Sequence, residues 1–142
     1  MVGNVRGLGW LKNMANSFVD TNIFLEVFVR KGAKSDKSKR LLENSDKLST
    51  SLLVISEIEW VMRTAYEIER ETIVRCLKKI FGLDIKIENR EVLTKSLFFY
   101  KHYNVDWTDC VNMFLVKKAG ISKVYSYDKG LNKFNWISRV EP

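Results

Sequence analysis

Residues 17–28 read SFVDTNIFLEVF, and the way this stretch is parsed decides the fold. A short apolar run ends in Asp20, Thr21 and Asn22, and apolar residues then recur at helical spacing in Ile23, Phe24, Val27 and Phe28. That pattern predicts a buried strand feeding directly into a helix. The polar residues then sit at the carboxyl end of a strand, where open α/β sheets bind their ligands. Asp20 has a second reading as the helix N-cap, because Asp readily accepts a backbone N–H there. On this stretch alone both readings stand.

The alternation continues downstream. KSKRLLENSDKL reads as helical, and STSLLVISEIEWVMRTAYEI carries the run Leu52, Leu53, Val54, Ile55, which fits a strand end or a helix start. ETIVRCLKKIFG is an amphipathic helix with Ile73, Val74, Leu77, Ile80 and Phe81 on one face and Gly82 as its stop. DIKIE alternates as a short strand. Residues 89–103 and DWTDCVNMFLVKKAG predict two more helices, the second ended by Gly120. KVYSYD and WISRV read as strands on either side of the short helical turn DKGLNKF. Strands separated by helices imply an α/β protein, with a mostly parallel, twisted sheet covered on both faces in a three-layer α/β/α sandwich. Residues 1–15 show three glycines and no period, and read as an N-terminal extension to a domain over 16–142.

Composition bounds the function. A chain of 142 residues with 46% hydrophobic and 29% charged residues suits one globular domain. No apolar run approaches the ~18 residues of a membrane span, and the N-terminus lacks a signal-peptide pattern. The expectation is a cytoplasmic protein that does not enter a membrane. Cys76 and Cys110 are far apart, without metal-ligand spacing, and read as buried free thiols. The net charge is +7, concentrated in RKGAKSDKSKR. There Arg30, Lys31, Lys34, Lys37, Lys39 and Arg40 face only Asp36, a local +5 that attracts polyanions such as RNA. The same segment also reads as a merely solvated face.

Four acids fall at or near the predicted carboxyl edge of the sheet. Asp20 ends the first strand, Glu57 lies near the start of the helix after the second, Asp109 begins a helix, and Asp128 ends the strand KVYSYD. Carboxylates gathered at one point raise each other's pKa, so a cation should relieve them. Magnesium or manganese fits an all-oxygen donor set. A pair of such ions about 4 Å apart is a common device for phosphodiester hydrolysis. Structural readings exist for the acids other than Glu57, which the capping box that accounts for Glu59 leaves unexplained. Ser56 and Glu59 fit a capping box, Asp106 fits an N-cap with Asp109 as a first-turn acid, and Asp128 fits a turn.

FVDTN, SEIEW, DWTDC and YSYDKGLNKF with a closing RVEP, in that order over residues 16–142, resemble the PIN-domain ribonucleases, particularly the VapC-like toxins. The resemblance implies that Asp20, Glu57, Asp109 and Asp128 bind metal and are catalytic. Asn22 and Ser126 would take supporting polar positions, and Asp106 an N-cap or outer one. It implies RNA cleavage with Mg2+ or Mn2+, a small antitoxin as partner, and a homodimer. Gly130 and Leu131 depart from the usual acidic-aromatic pair after the last motif. Surface for a dimer is expected on helices over residues 60–81, including Trp60, Tyr66 and Ile73. The sole histidine, His102, reads as an ordinary helix position. The rival reading is a catalytically inactive RNA-binding or RNA-processing subunit that keeps the fold and the basic face. A phosphoryl-transfer or receiver-like α/β protein ranks last, because no phosphate-cradling glycine loop is present.

Overall fold

The computed structural model describes residues 17–142, so the reading of residues 1–15 as an extension lies outside the described residues. The chain divides into two compact units, the first ending at Asn89 and the second running Arg90–Pro142. Each is built from its own helices and parallel strands.

In the first unit, β1 (Ser17–Phe18) is followed by α1 (Thr21–Phe28), α2 (Ala33–Asn44) and β2 (Leu48–Thr50). Then come α3 (Leu52–Thr64), α4 (Arg70–Phe81) and β3 (Ile85–Ile87). The strands form a parallel sheet in the order β1-β2-β3, with Ser17 opposite Leu48 and Leu48 opposite Ile85. Parallel neighbours need a crossover, which α1 with α2 and α3 with α4 provide. The helices bury their apolar stripes: Phe24 of α1, Ile55, Ile58 and Met62 of α3, and Leu77 of α4 are almost completely enclosed.

Several local expectations change. The run Leu52–Ile55 belongs to α3, because Ser51 caps that helix by accepting a hydrogen bond from the Val54 N–H at 3.1 Å. Ser56 therefore lies inside the helix and makes no capping box. Glu59 instead pairs with Arg63 one turn on, at 2.8 Å. Gly82 does end α4, but in a right-handed conformation with φ −84°. Ile73 is fully buried and belongs to the core, whereas Trp60 and Tyr66 are exposed. The basic segment is mostly helix: α2 begins at Ala33 after Gly32, whose φ of +119° favours glycine. Cys76 is half-buried, and burial pushes its thiol pKa up.

The second unit holds α5 (Arg90–His102), α6 (Trp107–Lys118), β4 (Lys123–Tyr125), a 3-10 helix (Lys129–Lys133) and β5 (Ser138–Val140). Strands β4 and β5 pair in parallel, Lys123 opposite Ser138. Gly120, at φ +73°, closes α6: its N–H donates to the Lys117 carbonyl, and the Ile121 N–H reaches the Val116 carbonyl. This is the paired closure that a left-handed residue allows after a helix. The core is aromatic. Phe99 stacks on Phe134 at 4.7 Å between centroids, and Phe114 and Trp136 meet at 4.8 Å. The Trp136 indole N–H is satisfied by the Met113 carbonyl at 2.9 Å. Cys110 is a buried free thiol, as expected. The exposed His102 ring shares a hydrogen bond with the Phe98 carbonyl one turn back. Among the described residues no helix is long and apolar enough to cross a membrane.

The end of β1 is held by the buried Thr50 hydroxyl, which donates to the Val19 carbonyl at 2.8 Å. Thr50→Val keeps the shape and removes that donor. The expected loss is about 1–3 kcal/mol of stability, read by urea denaturation; a loss indistinguishable from zero would show that this bond does not hold the strand end.

Candidate metal centre

The first unit carries Asp20, Asn22 and Glu57. Asp20 occupies the N-cap position of α1 with extended backbone angles (φ −85°, ψ 164°), yet its side chain makes no capping bond. The helix start is closed by backbone, the Ile23 N–H donating to the Asp20 carbonyl at 3.1 Å. The carboxylate is thus exposed and not spent on capping. Backbone pairing delivers it rigidly: the Val19 N–H donates to the Ser49 carbonyl at 2.8 Å, one residue before Asp20. The next residue, Thr21, is buried and donates its hydroxyl to Glu57 Oε2 at 2.7 Å. That bond ties α3 to the start of α1 and fixes the Glu57 carboxylate beside the Asp20 segment. Asn22 is exposed on the first turn of α1.

Thr21 escaped the sequence reading. Its signal was a small hydroxyl residue enclosed between two acid and amide positions at a helix start, where a solvated side chain would be ordinary.

The second unit carries Asp106, Asp109, Ser126 and Asp128. Asp106 is the N-cap of α6 by backbone (φ −65°, ψ 146°), again without a side-chain capping bond. Asp109, in the first turn, is half-buried. Its pKa is raised above the usual carboxylate range, first by burial, then by the charges of Asp128 and Asp106. Asp109 therefore lies in the field of both neighbouring acids. Among the described residues, however, no group of three or more His, Cys, Asp or Glu stands close enough to hold a metal ion. These findings concern different ranges, since Coulomb coupling extends beyond ligating contact.

Asp128 does act as a turn residue: its Oδ1 accepts from the Gly130 N–H at 2.8 Å and opens the 3-10 helix. That occupies one carboxylate oxygen of two. The Ser126 hydroxyl accepts from the Asp128 N–H at 3.0 Å, a supporting role for the turn. Arg139 on β5 donates to the Ser126 carbonyl at 2.8 Å and pairs with Glu141 at 3.0 Å. Arg139 was not singled out from sequence; the closing RVEP carried it, but nothing in its spacing revealed a partner across the strand pair.

Of the basic set, Lys31, Lys34, Lys37, Lys39 and Arg40 are exposed. Arg30 differs. Its guanidinium pairs with Glu26 at 3.0 Å and donates to the Tyr66 hydroxyl at 2.9 Å, which braces α1 against the end of α3.

The PIN domain family model matches residues 17–137. This chain belongs to the PIN domain family. The matched span takes in all four acids of the candidate centre, and PIN membership points to nuclease chemistry. Among solved structures, the chain is similar to the VapC20 toxin of Mycobacterium tuberculosis, described as cleaving the sarcin-ricin loop. The identity is 16%, the TM-score 0.42, and the alignment covers 89% of this chain and 100% of that one. Comparison with curated proteins finds no match.

In this PIN domain the donor set is all carboxylate oxygen, which suits a hard divalent ion. The Asp109 pKa is raised first by burial and then by the Asp128 and Asp106 charges, and a cation would relieve the second of these. The chemistry of these donors suits such an ion, although among the described residues no three of them stand at ligating distance.

The same shift has a consequence for the metal-free protein. A carboxylate whose folded pKa lies above its unfolded value (about 3.9) favours folding below the unfolded value. That contribution is lost as pH rises through the raised folded pKa. Asp109→Asn should therefore raise the melting temperature in chelator at pH 7, with the gain shrinking to nothing near pH 3. A gain independent of pH, or a loss at pH 7, would contradict this electrostatic account.

Proposed function

We propose that this PIN domain is a metal-dependent endoribonuclease that hydrolyses RNA phosphodiester bonds, with Asp20, Glu57, Asp109 and Asp128 as its metal-binding and catalytic acids. The observation that carries the reading is the PIN match over residues 17–137, together with the raised pKa of Asp109 beside two further acids. Bound Mg2+ or Mn2+ supplies an activated water and charge stabilisation at the phosphate.

The chain's own residues supply the rest. Asp20 stands at a strand end braced by Thr50, and Glu57 is oriented by Thr21. Asp128 is positioned by its own turn and by Ser126, whose carbonyl Arg139 holds. Asn22 and Asp106 stand close in sequence to Asp20 and Asp109 and contribute polar groups outside the ligand set. The exposed face of α2, with Lys34, Lys37, Lys39 and Arg40, offers counter-charge to an RNA backbone. Lys31 adds to it, and Arg30 adds less because Glu26 already pairs with it.

The biological setting we propose is that of a cytoplasmic toxin restrained by a small antitoxin, as the VapC-like motif order suggests. Exposed Trp60 and Tyr66 offer surface for a homodimer.

Purified protein incubated with single-stranded and structured RNAs should cleave in Mg2+ or Mn2+ and stop in chelator. Asp109→Asn should lower the rate at least about a hundredfold, since even groups behind a metal's ligands cost ten- to a hundredfold. Asp106→Asn should stay active, because its carboxylate makes no capping bond and Asn is as good a cap. Cleavage that survives exhaustive metal removal would overturn the mechanism. Binding without cleavage under every metal condition would favour an inactive RNA-binding subunit.

A further inference from the structure

Strand β4 and the turn after it present side chains that the nuclease reading leaves unused. Side chains alternate along a strand, so on β4 Lys123 and Tyr125 face opposite to Val124, and Tyr127 follows in the bend two residues past the strand. Exposure follows the alternation. Tyr125 is 63% and Tyr127 71% exposed, Lys123 is exposed, and Val124 and Ser126 are half-buried. The Lys123 ammonium lies over the Tyr125 ring at 5.0 Å from its centroid. Residues two apart on a strand are about 6.6 Å apart, so β4 offers an ammonium beside an aromatic ring, and the exposed Tyr127 ring follows in the bend.

The row ends at a defined place. Tyr127 immediately precedes Asp128, and the backbone on both sides of it is fixed. The Ser126 N–H donates to the Val140 carbonyl, the Ser126 hydroxyl accepts from the Asp128 N–H, and Arg139 holds the Ser126 carbonyl. A large aromatic side chain on a braced turn, open to water, is a poor contribution to a core and a good contact surface. We propose that Lys123, Tyr125 and Tyr127 form a stacking platform for single-stranded RNA, on which bases next to the phosphodiester to be cleaved lie against the tyrosine rings. The proposal rests on the ribonuclease reading for its substrate class.

Charge favours RNA over a second copy of the chain. The second unit carries nine Lys and Arg against five Asp and Glu, with Lys129 exposed just beyond the row. Two such faces repel each other, whereas a polyanion is attracted. Single strands fit better than duplexes, because a ring can stack only on a base whose face is free.

The test is binding of a fluorescent single-stranded RNA decamer to the full chain in chelator, where the RNA stays intact, followed by anisotropy. Tyr127→Ala should weaken binding about five- to a hundredfold, and Tyr127→Phe should bind within about twofold of the parent. A blunt-ended duplex of the same sequence should not distinguish the three proteins. Equal single-strand affinity for parent and Tyr127→Ala overturns the platform, as does an equal loss on the duplex. Tyr127→Ala becoming monomeric where the parent is dimeric would overturn it in favour of a protein interface. Cleavage is scored separately in Mg2+. An active enzyme indifferent to Tyr127 sinks the platform alone, and Tyr127-dependent binding without cleavage sinks the nuclease reading alone.

Discussion

The partly buried carboxylate of Asp109, flanked by acids, is the constraint around which the charged part of the second unit is built. Asp109 is partly withdrawn from water in the field of Asp128 and Asp106, and its pKa rises for both reasons. Such charge destabilises the unloaded protein, so the surrounding structure must hold it. The second unit does so with an aromatic core, the glycine closure of α6, and a turn fixed by Ser126 and Arg139. In the first unit Asp20 sits on a strand end anchored by Val19, Ser49 and Thr50, and Glu57 is tied down by Thr21.

Asp20 and Asp106 both stand at helix N-caps, the commonest use of Asp at such a site. Neither side chain makes the capping bond. Backbone groups close the start of α1, as the Ile23 N–H to Asp20 carbonyl bond shows. Asp128 does cap its short helix, but with one oxygen only. Position at a helix start therefore accounts for where these acids are, and leaves their charge available.

The parallel α/β class and the order of the elements were legible in the sequence, because apolar period records which face of each segment is buried. The ends of α4 and α6 followed from Gly82 and Gly120 within a residue or two. Failures came where period is silent. Leu52–Ile55 is apolar throughout, so strand and helix looked alike until the Ser51 cap decided. Ser56 and Glu59 had capping-box spacing inside a helix already started, and Glu59 found Arg63 instead. Ile73 looked like surplus surface but fills the core. Of the four acids only Asp20 follows a strand closely; Glu57 and Asp109 lie inside α3 and α6, and Asp128 opens the 3-10 helix past β4. Their supports were not legible: the Thr21 to Glu57 bond spans 36 positions and the Arg139 to Ser126 bond 13. Such pairings depend on which segments meet, not on local pattern.

The account's central claim is that these carboxylates exist to hold a divalent ion. Calorimetric titration of Mn2+ into the metal-stripped full chain, and into Asp20→Asn and Asp109→Asn, tests it without reference to any RNA. The account predicts saturable binding to the parent and a loss of at least about tenfold in affinity for each variant. Variants that bind Mn2+ as tightly as the parent, or a parent that binds none, would contradict it.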